Sequence, residues 1–389
     1  MNKKQFIPNI RFHGFTDGWA QRRLVDEVDF FSGLTYSPDN IVKEGGTFVL
    51  RSSNVQNGEI VEADNVYVEH EAVNSTNVQV GDIVIVVRNG SRSLIGKHAA
   101  IKKPMENTVI GAFMTGIHSE TSSFINALLD TRQFEIEIHK NLGATINQIT
   151  TGNFKKMEFN FPTKFEQEKT GSFFKELDDT ITLQQQLLDD YKQLKKAMLQ
   201  KMFPQKGESV PRIRFARFTD DWEQKEMGEL AKIKTGKKDV QDADENGIYP
   251  FYIRSDEIKK INSYSFDGEA ILVPGEGRLG DIIHYIKGKF DFHQRVYKIS
   301  DFDGVSALYL LYFMKLNFKR HAMKYTVKAT VDSLRLPMLK EFKILLPKLA
   351  EQEKIGNYFK QLDETIVLHE KKLETYQNLK KAMLQKMFV

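Results

Sequence analysis

Between residues 166 and 203 the apolar positions advance in threes and fours. Phe174, Leu177, Ile181, Leu188, Tyr191, Met198 and Met202 are separated by those steps or by sums of them, as residues on one face of an α-helix are. Phe359, Leu362, Ile366, Leu373, Tyr376, Met383 and Met387 repeat the pattern further along. Neither run contains proline, and Pro162 and Pro347 stand just ahead of them, where proline is tolerated. A helix of this size would be roughly 55 Å long, too long for a one-sided stripe to stay unpaired. Each stripe could pack on its own globular domain, but charge favours the two helices pairing with each other. The first is acidic early (Glu176, Asp178, Asp179) and basic late (Lys195, Lys196, Lys201); the second has Asp363 and Glu364 early and Lys380, Lys381 and Lys386 late. Antiparallel pairing sets acid beside base at both ends, whereas parallel pairing sets like beside like. The predicted helix interface is Leu177, Ile181, Leu188, Tyr191 and Met198 against Leu362, Ile366, Leu373, Tyr376 and Met383.

The pattern changes outside these runs. "TFVLRSSNV", "GDIVIVVRNG", "GEAILVPGEG" and "DIIHYIKGKFDFHQRVYKI" are short β-branched or aromatic runs broken by Gly, Asn and Asp, which predicts strands and turns. One helix is expected in each such region, near 122–132 ("SSFINALLDTR") and near 306–318 ("SALYLLYFMKLNF"). The fold class is therefore α+β, with two mixed α/β domains at 1–163 and 206–348 alternating with long helices at 164–205 and 349–389.

The two halves are copies. "LKKAMLQKMF" stands at 194–203 and again at 379–388, an offset of 379 − 194 = 185. At that offset "EQEK" at 166 returns at 351, "LDDTI" at 177 returns as "LDETI" at 362, Pro162 falls on Pro347, and Thr145 on Thr330. The openings match as well: "PNIRFHGFTDGW" (8–19) answers "PRIRFARFTDDW" (211–222), offset 211 − 8 = 203. Between them "LRSSN" (50–54) sets against "IRSDE" (253–257), and "GDIVIVVRNG" loosely against "GEAILVPGEG" at an offset of about 187. The first copy thus carries about 203 − 187 = 16 extra residues within 55–80.

Composition narrows the function classes. The 389 residues hold 56 Lys+Arg against 52 Asp+Glu, a net charge of +4, which permits an acidic polymer as partner without requiring one. Cysteine is absent, which excludes disulfides and thiolate metal sites. Met1 to Phe15 lacks the apolar run of a secretory signal, and the most apolar window, Ala307 to Met314, is far short of a bilayer span, so a cytoplasmic protein is expected. Basic residues gather in the turn-rich parts. Arg88, Arg92, Lys97, Lys102 and Lys103 lie in the first domain and Arg278, Lys287, Lys289, Arg295 and Lys298 in the second, with Arg51 and Arg254 as further candidates. Asn89, Ser91, Ser93, His293 and Gln294 interleave with them and can bond phosphates and base edges.

The two "IRF…FTD.W" openings and the two "P…EQEK…LD.TI…LKKAMLQKMF" segments resemble the specificity (S) subunit of type I restriction-modification systems, over essentially the whole chain. The resemblance implies two target-recognition domains, each reading one half of a split, asymmetric double-stranded DNA site. It further implies antiparallel helices that set the spacer and dock two methyltransferase (M) subunits, restriction/translocase (R) subunits joining through the complex. No catalytic activity is implied for the chain itself, and S-adenosylmethionine, ATP and magnesium are expected on the partners.

Other classes find less support. "GEGRLG" (275–280) matches a dinucleotide-binding fingerprint after the apolar "AILVP", but "DIIHYIKGKF" follows with strand alternation where that fingerprint needs a helix. No Pro-Pro pair, no G-x-x-x-x-G-K-[ST] and no H-E-x-x-H occurs, which argues against amino-methyltransfer, ATP-driven translocation and zinc catalysis by this chain. A stand-alone duplicated DNA-binding regulator would have the same domains.

Overall fold

The computed structural model describes residues 6–142, 147–205, 207–325 and 333–389; Thr145 and Thr330 fall outside that set. The chain divides into two compact units, Met1–Gln184 with Lys372–Val389, and Gln185–Lys371.

The first unit contains β1 (Ala20–Arg23), β2 (Asp29–Ser32), β3 (Ile41–Val42), β4 (Thr47–Leu50), β5 (Val55–Gln56), β6 (Glu59–Ile60), β7 (Val66–Val68), β8 (Ile83–Val86), β9 (His98–Ala100), β10 (Thr108–Ile110) and β11 (Met114–His118). Helices α1 (Ser122–Leu129), α2 (Arg132–Asn141) and α3 (Thr151–Lys156), then β12 (Glu158–Phe161), lead into the long α4 (Lys164–Met202). One sheet has the order β2-β11-β8-β9, a second β10-β4-β7-β3, with β10 parallel to β4. The run "IVIV" of β8 is apolar throughout because both its faces are covered. Ile83 and Ile85 pack with Trp19, Phe124 and Phe161, while Val84 and Val86 pack with Leu50, Ile110 and Met114 on the opposite face.

The second unit contains β13 (Glu223–Glu226), α5 (Met227–Leu230), β14 (Lys232–Thr235), β15 (Tyr249–Tyr252), β16 (Ile258–Ile261), β17 (Phe266–Pro274), β18 (His284–Phe292), β19 (Val296–Ser300), α6 (Ala307–Ala322), α7 (Leu336–Lys340), β20 (Lys343–Leu346) and the start of α8 (Leu349–Met387). Here one sheet of order β14-β19-β17-β18-β15-β16 does the work of two. The first part of β18 pairs antiparallel with β17, then Asp291 and Phe292 pair parallel with β15. In the first unit the same route is split into β9 and β10. The extra residues of the first copy are accounted for by β5, β6 and β7 between β4 and β8, where the second unit has only β16.

Both long helices have 39 residues, and within each unit they run antiparallel. In the first unit Lys380 of α8 lies 2.5 Å from Asp178 of α4, and Phe388 packs on Phe174. In the second, Lys192 lies 2.9 Å from Glu370, Lys195 pairs with Asp363, and Tyr191 stacks on His369. Leu177, Leu188, Leu362, Ile366 and Leu373 are buried. Tyr191 and Met198 pack against the core that holds Phe359, and Met383 against the one that holds Phe388. Ile181 and Tyr376 are half-buried. Among the described residues no helix is long and apolar enough to cross a membrane.

The repeated motifs fasten each domain to its helix. Arg11 of the opening segment donates from Nε and Nη2 to Glu166, at 2.6 and 2.7 Å, and Arg214 does the same to Glu351, at 2.7 and 2.8 Å. Both carboxylates are buried, so the two-pronged geometry is what makes their desolvation tolerable. The next residue is an amide in each copy. Gln167 donates to the Pro162 carbonyl and accepts from the Thr121 hydroxyl ahead of α1; Gln352 donates to the Pro347 carbonyl and accepts from the Ser306 amide ahead of α6. Gly171 and Gly356 let α1 and α6 approach closely. A Cβ at either position would sit 2.5 Å from the Phe124 nitrogen or 2.8 Å from the Leu308 Cβ. The helix C-termini are closed by the opening segments: Ile10 donates to the Lys386 carbonyl and Ile213 to the Lys201 carbonyl, both at 2.9 Å.

Candidate nucleic-acid interface

In the first unit the chain leaves β8 through Val87, Arg88 and Asn89 and passes the turn between β10 and β11. Val87 donates to the Phe113 carbonyl, and Arg88 bridges Gln148. The Arg88 guanidinium lies 4.8 Å from the centroid of the Phe113 ring, which is 53% exposed. Asn89 donates to the Ser52 hydroxyl at 2.9 Å, and Arg51 stands 3.4 Å from Asp64. Arg51, Ser52 and Phe113 line one hollow, with Arg88 over the Phe113 ring and Asn89 bonded to Ser52. Arg92, Ser93 and Lys97 line a different hollow with His98, Glu135 and His139. Lys102 is held by Glu59 at 2.5 Å and by Asp179 of α4 at 3.3 Å; Lys103 is exposed. Ser91 and Ser93 share a hydrogen bond on the surface.

In the second unit the corresponding tip holds more charge. Arg254 donates from Nη1 to one oxygen of Glu276 at 3.1 Å, and Arg295 donates from Nη1 to the other. Arg278 pairs with Asp256, and Gln294 donates to Asp239 at 2.8 Å. His293 is buried beneath them; its Nδ1 accepts from the Arg295 amide, and desolvation pushes its imidazole below the usual range, toward the neutral form. Lys287 and Lys289 are exposed on β18, where Lys289 lies 4.8 Å from the Tyr264 ring. Lys298 is placed differently from the rest. It is buried, with its ammonium 3.2 Å from the centroid of Phe266, and burial lowers its pKa. A lysine among exposed cations reads as surface, but both faces of β19 are covered: Tyr297 and Ile299 face one core, and Lys298 shares the other face with Val296, beneath Phe266.

Backbone bonds correct the match between the copies. Gly111 donates to the Leu50 carbonyl and His293 to the Tyr252 carbonyl; Val87 donates to the Phe113 carbonyl and Gly275 to the Arg295 carbonyl. The isolated bridges Arg88 to Gln148 and Glu276 to Ser333 agree with these. Arg88 therefore corresponds to Glu276, and Phe113 to Arg295. Arg51 corresponds to Ile253 and not to Arg254. Aligning "LRS" on "IRS" slips the strand by one residue, and a one-residue slip exchanges its faces.

The clustering of cations does not reveal Phe113, Asp239, Asp256 and Glu276, which stand among them. The signals were present: an exposed aromatic in "GAFMTG", and a carboxylate inside the glycine-rich "GEGRLG". That motif opens no helix, since β18 follows it, and Gly277 adopts φ +84° in its turn. Among the described residues no group of three or more His, Asp or Glu is arranged to hold a metal ion.

A family model described as the type I restriction modification DNA specificity domain matches residues 16–193 and again 219–377. The specificity subunit of the type I restriction enzyme EcoDI of Escherichia coli is 32% identical over 149 residues, 37% of this chain and 33% of that subunit. The EcoKI specificity subunit of Escherichia coli strain K12 is 28% identical over 195 residues, 47% of this chain and 42% of its own length. The match to each of these two relatives therefore spans less than half of the relative. The MjaVIII specificity subunit of Methanocaldococcus jannaschii is 23% identical over 273 residues, 62% of this chain and 64% of its own. Among solved structures, the S subunit of a type-I restriction-modification system from M. genitalium superposes with a TM-score of 0.71 over 98% of this chain and 99% of that one. At 16% identity this is a likeness of fold.

Proposed function

Because the chain belongs to the family of type I restriction-modification DNA specificity domains, we propose that it is the non-catalytic specificity subunit of such a complex. Each unit reads one half of a split, asymmetric site on double-stranded DNA, and the long helices set the spacer and dock two methyltransferase subunits, through which restriction/translocase subunits join. S-adenosylmethionine, ATP and magnesium belong to those partners. The observation that carries this reading is the contrast between the copies. The fastening contacts, Arg11 to Glu166 and Arg214 to Glu351, are the same, whereas the tip residues differ, Arg88 with Phe113 in one and Glu276 with Arg295 in the other. One framework presenting two chemistries suits two unlike half-sites.

The test is methyl transfer from a labelled donor, mapped by base. The purified chain alone is expected to transfer none; with a cognate methyltransferase subunit, adenines in a bipartite sequence should be modified. A variant with four residues inserted ahead of Leu183 lengthens one helix by about 6 Å, nearly two base-pair rises, and roughly keeps its apolar face. The spacer should then grow while both half-sites persist. Methylation by the isolated chain, or specific binding indifferent to the methyltransferase, would overturn the proposal in favour of an enzyme or a stand-alone regulator.

A further inference from the structure

The residue at the centre of the second unit's basic tip is an acid. Glu276 lies just beyond β17, 23% exposed, with its backbone bridged to Ser333. Its two oxygens each take Nη1 of a different arginine, Arg254 and Arg295, whose side chains are 48% and 57% exposed. Each guanidinium commits one terminal nitrogen in this way. Its Nε and Nη2 have no protein partner among the described residues. That free edge carries two parallel N–H groups, the pattern that fits O6 and N7 of guanine in the major groove.

Stability alone does not account for the arrangement, because exposed ion pairs contribute little. Without the carboxylate, two like charges on long side chains would repel and range over many rotamers, all of which binding would have to freeze. With it they are held before DNA arrives. The equivalent place in the first unit has no such acid: Arg88 occupies the position of Glu276 and stacks on Phe113.

We propose that Glu276 is the positioning residue of a guanine-reading site, in which Arg254 and Arg295 meet guanine edges of the half-site bound by the second unit. The inference rests on the specificity-subunit reading. Its test uses the full chain assembled with methyltransferase, comparing the wild type with Glu276→Gln and Arg295→Lys by mapping methylated sites. Each variant should lose discrimination by about 5- to 150-fold at a G·C position of one half-site, the range for a lost bidentate contact. The other half-site should be unchanged, which also reports that the variant folds and assembles.

Should a variant fail to assemble, the wild-type complex provides the second measurement, binding to duplexes with 7-deazaguanine at each guanine of both half-sites in turn. Loss of N7 should weaken binding at one or two positions, all in the same half-site. The proposal is overturned if the variants keep full discrimination with methylation intact, if relaxation appears in both half-sites, or if the wild type is indifferent to every 7-deazaguanine. A wild-type complex that methylates no specific sequence would instead refute the specificity-subunit reading.

Discussion

Gly171 and Gly356 occupy the eighth position of helices that otherwise avoid glycine in their first turns. Glycine inside a helix costs about 1 kcal/mol relative to alanine, so its presence in both copies needs a reason. The close approach of α1 and α6 supplies one, since a methyl group at 171 would stand 2.5 Å from the Phe124 nitrogen. That nitrogen belongs to helix backbone fixed by Phe124, Ile125 and Leu128 in the core and cannot retreat alone. Gly171→Ala is therefore expected to destabilise the first unit by about 1–3 kcal/mol, the cost of overpacking, instead of stabilising it. The two tryptophans offer a way to measure this, because Trp19 lies in the first unit and Trp222 in the second. Urea unfolding followed in single-tryptophan variants should move the Trp19 transition to lower urea. A shift to higher urea would show that α1 yields.

At the scale of elements, a cluster of charges joins α1, α4, α8 and β9 in the first unit. Lys380 lies 2.6 Å from Asp130 and 2.5 Å from Asp178, and His98 lies 3.4 Å from Asp130. Burial raises the pKa of Asp130, but His98 and Lys380 together outweigh it and hold the carboxyl at about 2. Asp178 moves the other way, upward, because burial there exceeds the pull of Lys380. A carboxyl whose folded pKa lies below its unfolded value stabilises above the unfolded value and loses that contribution as pH falls through the folded one. For Asp130, a drop from 3.8 to about 2 corresponds to about 2 kcal/mol, lost between about pH 4 and 2. Lys380→Met should destabilise the first unit at neutral pH and flatten its Trp19-detected stability across that acid window. A variant with the wild-type acid slope would mean that Lys380 does not hold Asp130 low. In the second unit Lys315 stands at the position of Asp130, with Lys195 and Asp363 completing the group. Lys195→Met there should cost less, because Lys315 remains beside Asp363.

For the whole molecule, what could be read in advance depended on how many residues shared a signal. The long helices repeat their stripe over 39 residues, and the antiparallel charge pairs Lys195 to Asp363 and Lys380 to Asp178 were legible in the same letters. Strand register rests on two or three residues, so "LRS" against "IRS" misled by one position. The burial of Lys298 and the place of Glu276 among arginines depend on what packs over each face of a strand and which loops meet. Those facts belong to contacts distant in sequence, and neither charge nor periodicity carries them. The fastening role of "IRF" and "EQ" was hidden for the same reason, because Arg11 and Glu166 are 155 residues apart.

The bond from Ile10 to the Lys386 carbonyl has the same form as the bond from Ile213 to the Lys201 carbonyl. At one of these seams the bonded residues are 12 apart in the sequence, Lys201 and Ile213; at the other they are Ile10 and Lys386, from opposite ends of it. The two seams are therefore the same joint, an opening segment closing the end of a long helix. The position of the opening should then be interchangeable. A gene that joins Phe388 to Pro8 through seven residues beginning with Val389 and ending in Phe6 and Ile7, and opens the chain between Phe203 and Pro211, keeps both of these bonds and the bond from the Trp19 amide to the Phe6 carbonyl. That permuted protein is expected to fold, with Trp19 and Trp222 unfolding transitions within about 1 kcal/mol of the original, since each seam is held by contacts and not by the peptide that crosses it. A permuted chain that stayed unfolded would show that the covalent link at 204–210 is itself part of the second unit's stability.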